Sequence, residues 1–263
     1  MLGAVAVKEY LIFSRQRRQW LLMASEEATL NMTNEGAGIW AHMAMIKDGC
    51  PGIEHNPVWG NVYSDVLSFV SASKTFHTPT LQIAYGGDGG RIYFEHQYRL
   101  HTDPKLSRFW CKEYYESLMK GPSPTEGDQP NFLDVSMVEA AIRQRGGYVT
   151  MGPHGDSKGI GAHWEIWSLQ MGGLSNMEAL QAATIMGAEA LGMQQDMGSI
   201  EPGKIADLLI LNKNPLDDIH NTLSIQYVMK DGELFDVNAL NAIWPVKKNL
   251  PEWRLKILQP IRQ

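Results

Sequence analysis

The chain has 263 residues, 44% of them hydrophobic and 20% charged, a globular mix long enough for one large α/β domain with a small appendage. Its 23 Lys and Arg against 29 Asp and Glu leave a formal charge of −6, and without clustered cations this argues against a nucleic-acid surface. No apolar run reaches the ~20 residues of a membrane span, the opening stretch has Lys8-Glu9 but no basic leader, and the cytoplasm is the default compartment.

Gly3 to Val7 is small, apolar and strand-like, closed by Lys8-Glu9. Polar Ser14 precedes Trp20, Leu21 and Ala24 at helical spacing, which predicts a helix to about Glu27. A short strand at Leu30 to Thr33 follows, then a helix from Ile39 to Asp48 stopped by Gly49 and Pro51. Ile53 to His55 is another strand, Tyr63 to Ser71 a helix and Thr78 to Ala84 a strand, so β and α alternate and predict a parallel sheet. Gly86 to Pro130 interrupts the pattern as a long insertion with a helix near Lys112 to Lys120.

Alternation resumes with a helix from Val135 to Arg145 and a strand from Tyr148 to Gly152. Ser175 to Glu178 has the S-x-x-E form of a capping box, and Met177, Leu180, Thr184 and Leu191 behind it predict one continuous helix with these residues on its packing face. The apolar run Ile205 to Leu211 and the segments Ile225 to Met229 and Glu233 to Phe235 predict a β-rich end. Asp231-Gly232 is its hairpin turn, because both turn residues must accept positive φ. The division expected is 1–195 for the α/β part, 196–240 for the β element and 241–263 for a tail. Cys50 and Cys111 are too few for a disulfide framework.

Parallel α/β folds carry functional groups at the C-terminal ends of their strands. That rule nominates Lys8, Asn34, Glu35, His55, Gln82 and the segment Pro153-His154-Gly155-Asp156. An ammonium closing an apolar strand is costly unless it is paired or modified, and a snorkelling lysine is the competing reading of Lys8. His55 alone is more often a structural histidine than a ligand. His154 beside Asp156 in a glycine-bearing loop suits metal binding or acid–base work. His163-Trp164-Glu165 carries little information by itself, and Gly86 to Gly90 is not a G-x-G-x-x-G fingerprint.

Gly198-Ser199-Ile200-Glu201-Pro202-Gly203-Lys204-Ile205-Ala206-Asp207-Leu208, then Asn214-Pro215-Leu216 and Val228 to Gly232, resemble the C-terminal signature of the metal-dependent amidohydrolase superfamily. Ala6-Val7-Lys8 is similar to its fourth barrel strand, where the imidazolonepropionase-like and Xaa-Pro dipeptidase-like branch carries a carboxylated lysine bridging two metals. Gly52-Ile53-Glu54-His55 is similar to the sixth-strand motif, whose histidine is a metal ligand. Gly159 to Glu165 is closest to a sub-branch often fused to β-propellers. The resemblance covers nearly the whole chain apart from the insertion and the last residues.

It implies a partial (β/α)8 TIM-type barrel, from about the fourth to the eighth strand, with a small C-terminal β-sandwich element. It implies hydrolysis of a C–N bond in a small amide, peptide or cyclic amide, with a divalent metal of zinc type that lowers the pKa of water. Lys8, His55, His154 and Glu35 are then the metal-ligand candidates, and His154 and Asp156 the catalytic ones. The departures are specific. The first-strand H-x-H has no counterpart, Thr33 stands for the fifth-strand histidine, and His154 stands for the last-strand aspartate. A catalytically impaired or purely binding subunit is therefore the rival reading. About five of eight strands leave two open sheet edges, which predict a homo-oligomer or a complementing N-terminal half-chain.

Overall fold

The computed structural model describes residues 4–10, 14–36, 38–55, 61–83, 90–98, 106 and 132–249. Contacts divide the chain into two units, residues 1–91 with 129–204 and residues 92–128 with 205–263. In the first unit the order is β1 (Ala6–Glu9), α1 (Arg15–Glu27), β2 (Asn31–Glu35), α2 (Ile39–Lys47), β3 (Gly52–Glu54), α3 (Ser64–Ser73) and β4 (Phe76–Thr78). A 3₁₀ turn at Leu81–Ile83 follows, and α4 (Gly90–Tyr98) runs across into the second unit. Then come α5 (Phe132–Gln144), β5 (Tyr148–Val149), α6 (Ile160–Met171), α7 (Asn176–Ala182) and α8 (Ile185–Ala190).

The five strands pair in chain order, and every pairing is parallel. One row of the register runs Glu9, Asn34, Ile53, His77, Val149, and all five are 0–1% exposed. The neighbouring row, Glu35, Glu54 and Thr78, is only partly covered. The sheet therefore has one buried face and one more open face, set by the side-chain period of two.

Helix α5 buries Phe132, Val135, Glu139 and Ile142, a stripe at helical spacing, and packs against α3 and α6. In α6 every residue from Trp164 to Leu169 is buried, and Trp164 and Trp167 have no exposed surface. A helix covered all round has no polar face, so its sequence shows no amphipathic period. That is why it escaped the reading by spacing.

Three expected elements take other forms. The strand expected at Thr78 to Ala84 ends at Thr78. Pro79 has no N–H for a ladder, Thr80 turns to φ 56°, and the Leu81 and Gln82 amides are bound by Glu165 instead of a strand. The single helix expected beyond Ser175 is two, broken at Thr184 (φ −130°, ψ −95°). Its packing residues are Ala179, Ala182, Met186 and Ala188, whereas Met177 and Leu191 are exposed. The capping box itself is present in both halves. Within the expected insertion, Gly90–Tyr98 is helical, and the helix expected at Lys112 to Lys120 lies outside the described residues, as does Cys111.

The second unit carries a four-stranded antiparallel sheet in chain order, β6 (Leu208–Leu211), β7 (Ile225–Lys230), β8 (Glu233–Asp236) and β9 (Ala242–Trp244). The β7–β8 turn is Asp231-Gly232 at φ 49° and 78°, closed by the pair Lys230 and Glu233. Positive φ at both central residues is the requirement that selects Asp-Gly. Among the described residues no helix is long and apolar enough to cross a membrane.

Candidate metal centre

Four ionisable side chains meet at the C-terminal ends of three adjacent strands. Lys8 is the third residue of β1, Glu35 closes β2, Glu54 closes β3 and His55 follows it. The register sets Glu35 directly against Glu54. Parallel strands hold such neighbours side by side, and two carboxylates there repel unless a cation lies between them. Here Lys8 supplies that cation. Its Nζ lies 3.0 Å from Glu35 Oε2 and also contacts Glu54 Oε2. Burial lowers the Lys8 pKa, but hydrogen bonds to Glu54 and Glu35 outweigh it and hold the group above its ordinary value.

His55 is the buried member of the group, 5% exposed, with φ 59°. Its Nε2 lies 3.0 Å from Glu35 Oε1, and its Nδ1 lies 2.8 Å from the Thr80 hydroxyl. Burial pushes the imidazole pKa down, helped by the Lys8 and His154 charges and opposed by Glu35 and Glu54. A neutral imidazole keeps a lone pair for a cation, provided its other nitrogen carries the proton.

Backbone geometry closes the ends of β2 and β3 together. A Cβ on Gly36 would stand 2.1 Å from the His55 carbonyl oxygen and 2.2 Å from that of Glu54. Only glycine permits this approach.

One ligand atom from each of Glu35, Glu54 and His55 lies within 4.8 Å of the others. Two carboxylate oxygens and one imidazole nitrogen suit a divalent ion of zinc or manganese type, so the donor chemistry fits a metal. Glu35 and His55 thus come together as nominated, with Lys8 on the carboxylates. Glu54, quoted in the sixth-strand motif but not nominated, completes the set. Its signal was the register, in which the strand ends at Glu35 and Glu54 coincide.

His154, at φ 63°, has its ring centroid 5.4 Å from that of His55, at the edge of the group. Its Nδ1 pairs with Asp156 Oδ2 at 2.8 Å, and both side chains are nearly half exposed. Among the described residues no hydrogen bond or ion pair joins Asp156 to Glu35, Glu54 or His55. Two nominations fall elsewhere. Asn34 lies on the buried row, where its Nδ2 donates to the Gly52 carbonyl at 3.0 Å. Gln82 is buried in the 3₁₀ turn beside Ser168.

Residues 161–235 match the model of the amidohydrolase family. The resemblance to the amidohydrolase superfamily holds. A 5-methylthioadenosine/S-adenosylhomocysteine deaminase of Teredinibacter turnerae is 46% identical over 48 residues, 18% of this chain and 11% of the relative. An imidazolonepropionase of Symbiobacterium thermophilum is 55% identical over 40 residues, 15% of this chain and 9% of the relative. Among solved structures, a Xaa-Pro dipeptidase with bound methionine aligns at TM-score 0.64 and 19% identity, covering 89% of this chain and 55% of that one. A. niger ochratoxinase aligns at 0.62 and 18%, covering 89% and 51%. The fold of those structures therefore extends over most of the chain, while the chain spans about half their length.

Proposed function

We propose that this chain is the C-terminal part of a metal-dependent hydrolase acting on C–N bonds of small amides or peptides, built on a partial (β/α)8 barrel from about the fourth to the eighth strand. The observation that carries the reading is the convergence of Glu35, Glu54 and His55 at the C-terminal strand ends. Glu35, Glu54 and His55 would hold a divalent ion, with His154 beside them. Such an ion, zinc being the proposed one, lowers the pKa of a water molecule and polarises a carbonyl. His55 Nδ1 lies against the Thr80 hydroxyl, and its Nε2 faces Glu35 Oε1 at 3.0 Å. His154 and Asp156, hydrogen-bonded and exposed, form a pair able to take a proton at one side and pass it outward. A small-molecule substrate would approach from this exposed side. A second copy or a chain carrying further strands is the proposed partner, because among the described residues β1 and β5 each have one neighbour in the sheet.

A specific observation favours the second reading, an impaired or purely binding subunit. Lys8 as an ammonium already offsets one of the two carboxylate charges, whereas a carboxylated lysine forms from the free amine. One experiment separates the two. Manganese and zinc are titrated calorimetrically into the full chain, its Glu35→Gln variant and its Lys8→Met variant, with dipeptide hydrolysis followed before and after chelation. The hydrolase reading expects about one equivalent of metal, affinity at least ~10-fold weaker in Glu35→Gln, and turnover lost on chelation and restored by metal. A Lys8→Met variant that binds metal more tightly than the parent marks Lys8 as a resident cation and favours the second reading. Absence of binding at millimolar metal refutes the metal centre altogether.

A further inference from the structure

Helix α6 contributes one carboxylate that the ligand cluster does not contain. Glu165 has no exposed surface. Its Oε1 accepts from the Leu81 amide at 2.8 Å and its Oε2 from the Gln82 amide at 3.1 Å. Two successive amides turned on one carboxyl group form a nest-like concavity, the backbone shape that binds phosphates and other anions elsewhere. Here the group they hold is internal.

The nest exists because Thr80 adopts φ 56°. Left-handed backbone is rare and strained for a β-branched residue, so it persists only where the surroundings over-determine it. Pro79 removes the ladder donor before it, and Glu165 binds the amides after it. The same residue sends its hydroxyl to His55. Thr80 Oγ1 lies 2.8 Å from His55 Nδ1 and 3.3 Å from the Thr78 carbonyl oxygen. A hydroxyl that donates to that carbonyl has a lone pair left for an Nδ1–H, and that tautomer would free Nε2 for a cation shared with Glu35 Oε1.

We propose that Glu165 is a positioning residue for His55, clamping the turn after β4 so that the strained Thr80 presents its hydroxyl to the imidazole. The inference rests on the reading of His55 as a metal ligand. Burial raises the Glu165 pKa to about 8, opposed by the amides of Leu81 and Gln82, so near neutral pH the group is mostly the neutral acid, and its two oxygens still accept from those amides. A carboxylate that served packing alone would need no left-handed threonine beyond it, and Thr80 is the link that reaches the cluster.

The test uses the full chain and a readout that needs no metal. Imidazole ¹⁵N signals of His55 are recorded in the parent, Thr80→Val, Thr80→Ser, Glu165→Gln and, as a destabilised control, Ile142→Val. Thr80→Val and Glu165→Gln are expected to move the His55 signals in the same direction. Thr80→Ser, which keeps the hydroxyl, and Ile142→Val are expected to leave them in place. In parallel, manganese affinity is expected to fall about 10- to 100-fold in the first two variants, the usual loss when the residue behind a ligand is removed. If Glu165→Gln does not fold, Glu165→Asp, which withdraws the carboxylate by one methylene, carries the same expectation. His55 signals unchanged in the Glu165 variants but moved in Thr80→Val would overturn the clamp, and signals unchanged in both would overturn the whole chain of contacts. A parent that binds no manganese while its variants still shift His55 refutes the metal reading alone and supports the clamp.

Discussion

Replacing Gly36 by alanine should damage stability and the candidate site together. The added Cβ would lie 2.1 Å from the His55 carbonyl oxygen, 2.2 Å from that of Glu54 and 2.9 Å from His42 Cε1. Bringing those oxygens to even a tight contact of ~3 Å needs a shift of nearly 1 Å, and two of the three obstacles are backbone, so no side-chain rotation relieves it. Overpacking of this kind costs about 1–3 kcal/mol, and backbone obstacles place Gly36→Ala at the upper end. The shift would part β2 from β3 where Glu35 faces Glu54, so manganese affinity should drop with stability. Gly38→Ser is the internal control, because a Cβ there meets nothing within 4 Å and serine is a good N-cap for α2. Urea unfolding should show a lower midpoint for Gly36→Ala with an unchanged slope, and a parental or slightly higher midpoint for Gly38→Ser. A Gly36→Ala protein with parental midpoint and parental metal affinity would refute the reasoning, since it would mean the two strand ends are not in contact.

Acid should act on the buried row through His77, which has no exposed surface and whose ring nitrogens have no hydrogen-bond partner among the described residues. Burial, with the His42 charge adding to it, pushes its pKa down to about 3. A depressed folded pKa gives stability that is present above the ordinary value near 6.5 and lost as pH falls toward about 3. Urea midpoints should decline over that range by at most ~1.4 kcal/mol per pH unit from this group, and His77→Gln should flatten the decline. At α7, Ser175→Ala should cost about 1 kcal/mol, because it removes the Oγ that accepts from the Glu178 amide at 3.2 Å, and thermal unfolding would show a parental midpoint if the box contributes nothing.

The sequence was most legible where local chemistry decides structure. The Asp231-Gly232 hairpin and the Ser175–Glu178 box depend on a few adjacent residues, and both formed as read. So did the alternation of β1 to β3 with α1 to α3. Two failures have one cause, which is that distant residues decide the outcome. Thr78 to Ala84 has the composition of a strand, but a carboxylate more than eighty residues later binds two of its amides. Helix α6 is buried on every side, so period carries no signal there.

The site was legible by position and not by pairing. Strand-end position alone nominated Lys8, Glu35, His55 and His154, and these do lie at one end of the sheet. It also nominated Asn34, which shares a strand with Glu35 but points to the opposite face, a distinction that follows from register and cannot be read from one strand. Register also explains Glu54. Once β2 is known to pair with β3 through Glu35 and Glu54, two carboxylates stand side by side and a cation between them becomes an electrostatic requirement. Lys8 meets that requirement from β1, one strand away, with Thr33 opposite it. The family resemblance assigns the same lysine to metal bridging, and in this geometry its ammonium contacts both Glu35 and Glu54. Which of these a divalent ion would leave in place depends on whether it displaces the ammonium from Glu35 and Glu54, the contact on which the whole centre turns.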